Sequence, residues 1–225
     1  MKWLTFLIAA SAFAQAPLGY EARHDHWRGF CTGRLTLDET SAAFDSANNP
    51  KHSWKVAYLD AQQVRVLDNG EFRLLTYQDR PWRLGADRQY RVRVADKDFA
   101  TRVSPFLESR LERRFVAGLA ETGAAPLWEL PAKHRLRFSG TEGVLIAAAD
   151  RILYRTEKPG HSRTWLFSDI DSISSSDPYQ FTIVTYERAR GHYGDRKGFN
   201  FQLKQPLAGR QYDDLWRRLE RKTTP

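Results

Sequence analysis

The segments Phe72-Arg-Leu-Leu-Thr-Tyr77 and Phe181-Thr-Ile-Val-Thr-Tyr186 are two versions of one hexapeptide, set 109 residues apart. The same spacing aligns Tyr58-Leu59-Asp60 with Phe167-Ser168-Asp169, Val64 with Ile173 and Gly85 with Gly194. It also aligns Tyr90, Val92 and Val94 with Phe199, Phe201 and Leu203. Further upstream, one residue of slippage, as a single loop indel produces, brings His24, Gly33 and Leu35 onto His134, Gly143 and Leu145. One register held over some sixty residues, through apolar positions that alternate, constrains the fold more than any other feature. Its period is too long for a solenoid repeat and predicts two copies of one domain.

Each copy reads as short strands followed by a helix. In the first, strands are predicted near 33–37, 42–46, 53–58, 63–67, 72–77 and 89–94, separated by turn chemistry at Asn48-Asn49-Pro50 and Asp68-Asn69-Gly70. The second copy has Lys158-Pro159-Gly160 and Asp177-Pro178. A helix capped by Ser104, with Pro105 in its first turn, is predicted to present Leu107, Leu111 and Phe115 on one face and to end at Gly118. The second helix presents Tyr212, Leu215, Trp216 and Leu219, with Asp213 and Asp214 near its start and basic residues over 217–222. The stretch 118–132 carries Gly123, Pro126 and Pro131 and reads as a linker, with Trp128 packing on one of the copies.

Six or seven antiparallel strands closed by one amphipathic helix resemble bacterial PH-like (pleckstrin-homology-like, or GRAM-like) domains. The residues carrying the likeness are Gly33-x-Leu35 and Gly143-x-Leu145, the Trp54 and Trp165 strands, the Asp60 and Asp169 turns, and Thr76-Tyr77 with Thr185-Tyr186. The resemblance implies a mainly β chain of two tandem split barrels, over 20–117 and 133–223, each with a C-terminal helix across its open end. Duplicated lipocalin-like or sandwich units are the alternatives. The basic residues do not follow the loop pattern of phosphoinositide-binding PH domains, so the resemblance implies no such ligand.

The N-terminus reads as a secretory leader over 1–14: Lys2, an apolar run from Trp3 to Ala10, and small residues at Ala12 and Ala14, with cleavage expected after Ala14. The apolar run is well short of the ~20 residues a membrane-spanning helix needs. No later segment is long enough either, so a secreted or periplasmic protein without a transmembrane segment is expected. Thirteen Phe, nine Tyr and seven Trp against one Met favour sheets. The formal charge of +8 fits either an anionic partner or simple solubility. Cys31 is the only cysteine, which leaves no internal disulfide and no cysteine cluster; its aromatic surroundings point to burial.

The most conspicuous cluster is basic. The loop after Tyr77 carries Arg80, Trp82, Arg83 and Arg88; the corresponding loop after Tyr186 carries Arg188, Arg190, Tyr193, Arg196 and Lys197. Arginine with an adjacent aromatic can bind phosphate and enter a headgroup zone, so these nine residues are the candidate ligand-binding set. The competing reading is a pair of solvated hairpin loops.

His24 and His26 share one strand face and could begin a metal site with Cys31 as a third ligand. The expectation is nonetheless a polar segment without metal. His52 and His161 occupy equivalent places in the two copies, which a shared ancestral strand explains. No nucleophile elbow, phosphate loop or zinc-protease helix occurs. The resulting expectation is a non-enzymatic binding or scaffold protein without cofactors. Its partner would be a protein, or an anionic lipid or glycan of the cell envelope met peripherally, and not nucleic acid. A hydrolase or metalloprotein using His24 and His26 is the remaining alternative.

Overall fold

The computed structural model describes residues 16–26, 29–80, 85–189 and 196–221. The expected leader, with its cleavage site, lies outside the described residues.

Seven strands form the first unit: β1 Leu18–His26, β2 Gly29–Leu37, β3 Ser41–Ser46, β4 Trp54–Ala57, β5 Ala61–Leu67, β6 Glu71–Asp79 and β7 Asp87–Val94, followed by helix α1, Phe99–Leu111. A short strand β8, Phe115–Gly118, comes next. The second unit repeats the scheme: β9 Pro126–Arg135, β10 Gly140–Ala148, β11 Arg151–Arg155, β12 Arg163–Leu166, β13 Ile170–Ser174, β14 Gln180–Arg188 and β15 Arg196–Leu203, then helix α2, Gly209–Arg221. The strand orders are the same. The first sheet runs β4-β3-β2-β1-β7-β6-β5 and the second β12-β11-β10-β9-β15-β14-β13, with β8 added in parallel to the free edge of β5. Seven antiparallel strands in this order, unpaired between the fourth and fifth and followed by a helix, make each unit a PH-like split barrel.

Alternation builds the cores. Phe72, Leu74 and Thr76 point inward from β6, and Phe181, Ile183 and Thr185 from β14. Each unit gathers one apolar cluster from all its strands and its helix. Gly33 and Gly143 match for a physical reason. A Cβ on Gly33 would strike the Asp45 carbonyl and the Phe44 ring; one on Gly143 would strike the Arg155 carbonyl and the Tyr154 ring. Only glycine permits this approach between the second and third strands.

Several boundaries differ from expectation. Helix α1 begins at Phe99, not Ser104; Ser104 is buried and donates to the Ala100 carbonyl at 2.7 Å, and Pro105 lies inside the helix. Burial of Phe99, Ala100 and Val103 in the core outweighs the proline's loss of one helical hydrogen bond. Phe115 and Gly118 belong to β8 rather than to a helix end, and Gly118 lies flat against Leu67.

The stretch read as a linker contains most of β9, with Trp128 and Leu130 in the second core. Its prolines misled the reading. Pro126 opens the strand, and Pro131 sits in the half that pairs with β10 alone, where it needs no second ladder donor. Trp54 and Trp165 lie in corresponding strands but two positions out of step. Trp54 faces Phe44 as Arg163 faces Tyr154, and Trp165 corresponds to Val56. On α2, Leu215 and Leu219 are buried, whereas Trp216 is 46% exposed. No helix among the described residues is long and apolar enough to cross a membrane.

Candidate functional site

The two equivalent hairpins, β6–β7 and β14–β15, meet at the junction of the units. Their bases carry opposite charges in the same register. Asp79 pairs with Asp87 across the first ladder, and Arg188 with Arg196 across the second. Arg188 reaches over to bond both Asp87 and Gln62 of the first unit. Its guanidinium is the main reason the Asp87 carboxyl lies below the usual range.

Beside this contact Glu187 is buried, with a side chain 5% exposed, and takes three cations. These are Arg163 and Lys197 (3.1 Å) of its own unit and Arg65 (3.2 Å) of the other. Burial alone would push the Glu187 carboxyl up, yet the charges of Arg163, Lys197 and Arg65 hold it down at about 2. Lys197 is pulled down to about 8 by burial; Glu187 raises it, and the neighbouring Arg163 and Arg65 lower it.

Arg65, Arg163, Arg188 and Lys197 line one side of a cleft of about 660 Å³ between the units, with Glu187 behind them. Seven cationic side chains border it: Arg65 from the first unit, and Arg135, Arg137, Arg163, Arg188, Arg196 and Lys197 from the second. They meet three carboxylates, Glu187, Asp87 and Asp171, the last 3.5 Å from Arg196. Asp68, which accepts the Gly160 N–H at the cleft wall, is a fourth, so among the described residues seven cations against four carboxylates leave an excess of three positive charges. Among the described residues no carboxylate pairs with Arg135 or Arg137. The Nε of Arg163 is buried without a hydrogen-bond partner. His134 and His161 also line the cleft; burial, then Lys197 and Arg163, push His134 down to about 4, so it is neutral there at pH 7.

The candidate basic set is thus divided. Arg188, Arg196 and Lys197 come together at the cleft, each with an internal partner; Arg196 also lies 4.3 Å over the Tyr186 ring. Arg80 and Arg88 are exposed on the first hairpin. Trp82, Arg83, Arg190 and Tyr193 lie outside the described residues. Sequence reasoning missed Arg65, Arg135, Arg137, Arg163 and Glu187. For Glu187 a signal existed: it continues the inward period of Phe181, Ile183 and Thr185, and an acid in that phase calls for buried cations.

A second cavity of about 300 Å³ lies where β8 meets β12, with Glu108 and Asp169 in its wall. Burial raises both acids, Asp169 to about 6. Asp169 accepts the Leu166 backbone N–H at 3.2 Å, the capping role its turn position predicts.

No protein-family model matches the chain, and no curated protein matches it. Among solved structures, the chain is similar to the Spt16D Pob3N heterodimer at 9% identity and a TM-score of 0.37, over 86% of this chain and 99% of that one. It is also similar to the C-terminal domain of an unknown protein from Leishmania infantum, at 10% identity and a TM-score of 0.34, over 44% of this chain and 86% of that one. At these scores the fold assignment rests on the strand order above.

Proposed function

We propose that the chain is an extracytoplasmic, non-enzymatic binding protein whose two PH-like units, copies of one ancestral unit, hold a ligand bearing two or more phosphate groups in the cleft between them. The observation that carries this reading is the excess of three positive charges, among the described residues, around a cleft of about 660 Å³, a volume suited to a small molecule. The unpartnered Nε of Arg163 supports it, since a buried guanidinium donor is expected to find an acceptor. So do Arg135 and Arg137, which are exposed, pair with no carboxylate among the described residues, and can take phosphate oxygens bidentately. Export rests on the leader sequence, and common descent of the units on the shared register.

The test is calorimetric titration of the purified chain with inorganic pyrophosphate, beside vesicles of phosphatidylglycerol and of phosphatidylcholine. One-site binding of pyrophosphate that weakens with salt and is lost in Arg135→Glu/Arg137→Glu supports the reading. Binding of phosphatidylglycerol vesicles that depends on the same two arginines assigns the phosphates to a headgroup. Pyrophosphate and vesicle binding that are both absent, or indifferent to these substitutions, overturns it.

A further inference from the structure

Away from the cleft, at the far end of the β1–β2 hairpin, His24, His26 and Cys31 bring one ligand atom each to within 4.8 Å of one another. The strands dictate this. His24 and His26 share a face two residues apart, and His24 lies directly opposite Cys31 in the antiparallel register. The Nε2 of His26 lies 3.1 Å from the Cys31 Sγ. The turn Pro50–His52 then folds His52 onto the same nest, its ring centroid 4.0 Å from that of His26 and 6.3 Å from that of His24. The Nδ1 atoms of His24 and His52 are both buried without a hydrogen-bond partner.

We propose that this nest is a tetrahedral zinc site with His24, His26, Cys31 and His52 as ligands. Zinc takes imidazole nitrogen at ~2.0–2.1 Å and thiolate sulfur at ~2.3 Å, which sets the ligand atoms about 3.5 Å apart; His26 and Cys31 already stand 3.1 Å apart, and His24 joins them within 4.8 Å. The set contains no carboxylate; Asp25 pairs with Arg23 at 2.6 Å. A donor set of imidazoles and one thiolate selects zinc over magnesium or calcium. Binding releases the Cys31 thiol proton to solvent as the Zn–S bond forms.

The equivalent corner of the second unit isolates the cause. There His134 and His161 stand at the places of His24 and His52, but Leu136 and Thr141 replace His26 and Cys31. Thr141 is held by the Tyr154 hydroxyl, with the two side-chain oxygens 3.1 Å apart.

The chelator-treated full chain is dialysed against Zn(II), analysed for metal, and alkylated at Cys31 with and without the ion. One zinc per chain is expected, together with strong protection of the thiol. Substitution with Co(II) should produce a thiolate-to-cobalt absorption band that Cys31→Ser abolishes. His26→Ala should weaken zinc binding by at least about 100-fold, more than the 10–100-fold typical of a group outside the coordination shell. No zinc retained beyond that held by Cys31→Ser overturns the proposal. If Cys31→Ser does not fold, an alkylation rate of the parent chain unchanged by Zn(II) overturns it alone.

Discussion

The two units share one strand order and one register but place opposite chemistry at equivalent positions. On the β6–β7 hairpin Gln78 and Arg88 are exposed; on β14–β15 the equivalent Glu187 and Lys197 are withdrawn into a charged cluster. The backbone is the same in both. Thr76 Oγ1 accepts from the Gln78 N–H and donates to the Arg88 carbonyl, as Thr185 does with Glu187 and Lys197. The hairpin geometry is therefore generic, and the charge pattern laid on it decides what each unit brings to the junction: Asp87 from the first hairpin, Glu187 and Arg188 from the second. Arg188 on Asp87 and Arg65 on Glu187 are ion pairs that cross between the units, one in each direction. Those pairs join the units and leave the surplus of cations in the cleft.

The comparison can be broken most sharply at Glu187. Glu187→Gln leaves Arg65, Arg163 and Lys197 buried together without their carboxylate and should lower stability by about 3–5 kcal/mol in urea unfolding. Gln78→Ala at the equivalent place should change it by less than about 0.5 kcal/mol. Equal losses would mean the hairpins are not differentiated.

The next effect is on pH. His134 sits near 4 in the folded chain against 6.5 for an ordinary imidazole. The unfolded chain therefore binds its proton first, and this contribution to stability, fully present above pH 6.5, is lost as the pH falls toward 4. The loss is about 3 kcal/mol, at ~1.4 kcal/mol per unit. Asp169, raised to about 6, acts in the opposite sense, favouring the folded chain as pH falls below 6. The measurement is accordingly a difference: His134→Phe should be flatter between pH 6.5 and 4 than the parent chain. A parallel curve would show that His134 is not withdrawn from water.

Gly33→Ala and Gly143→Ala should each cost about 1–3 kcal/mol, because in both the new methyl meets a carbonyl of the next strand. A loss at only one would break the structural equivalence. The smallest effect belongs to Arg88→Glu, expected to leave both stability and pyrophosphate binding within about 0.5 kcal/mol of the parent chain.

Much of the fold was legible because alternation is a period-two signal that survives replacement of nearly every residue. Phe72, Leu74, Phe181 and Ile183 located the strands, and Gly33 and Gly143 matched in the register, though their close approach to the next strand shows only in the fold. What failed were rules of local propensity. Pro105 reads as a helix start and Pro126 and Pro131 as a linker, yet tertiary burial of Phe99 and Trp128 overrode both. The cleft was half legible: Arg188, Arg196 and Lys197 could be named from the repeat. Arg65 and Arg163 lie 98 positions apart, and only the packing of the units brings them to one carboxylate. The histidine nest shows the same limit. His24, His26 and Cys31 could be named from the sequence, while His52 requires the turn that folds back over them.

The central claim is that the junction holds a phosphate-bearing ligand at Arg163. The most direct measurement is an NMR titration of the arginine Nε–H signals with pyrophosphate, assigned by Arg163→Lys and Arg88→Lys. The account predicts that the Arg163 signal moves with a saturating, one-site dependence while that of Arg88 stays in place. Movement of Arg88 without Arg163, or of neither, would contradict it.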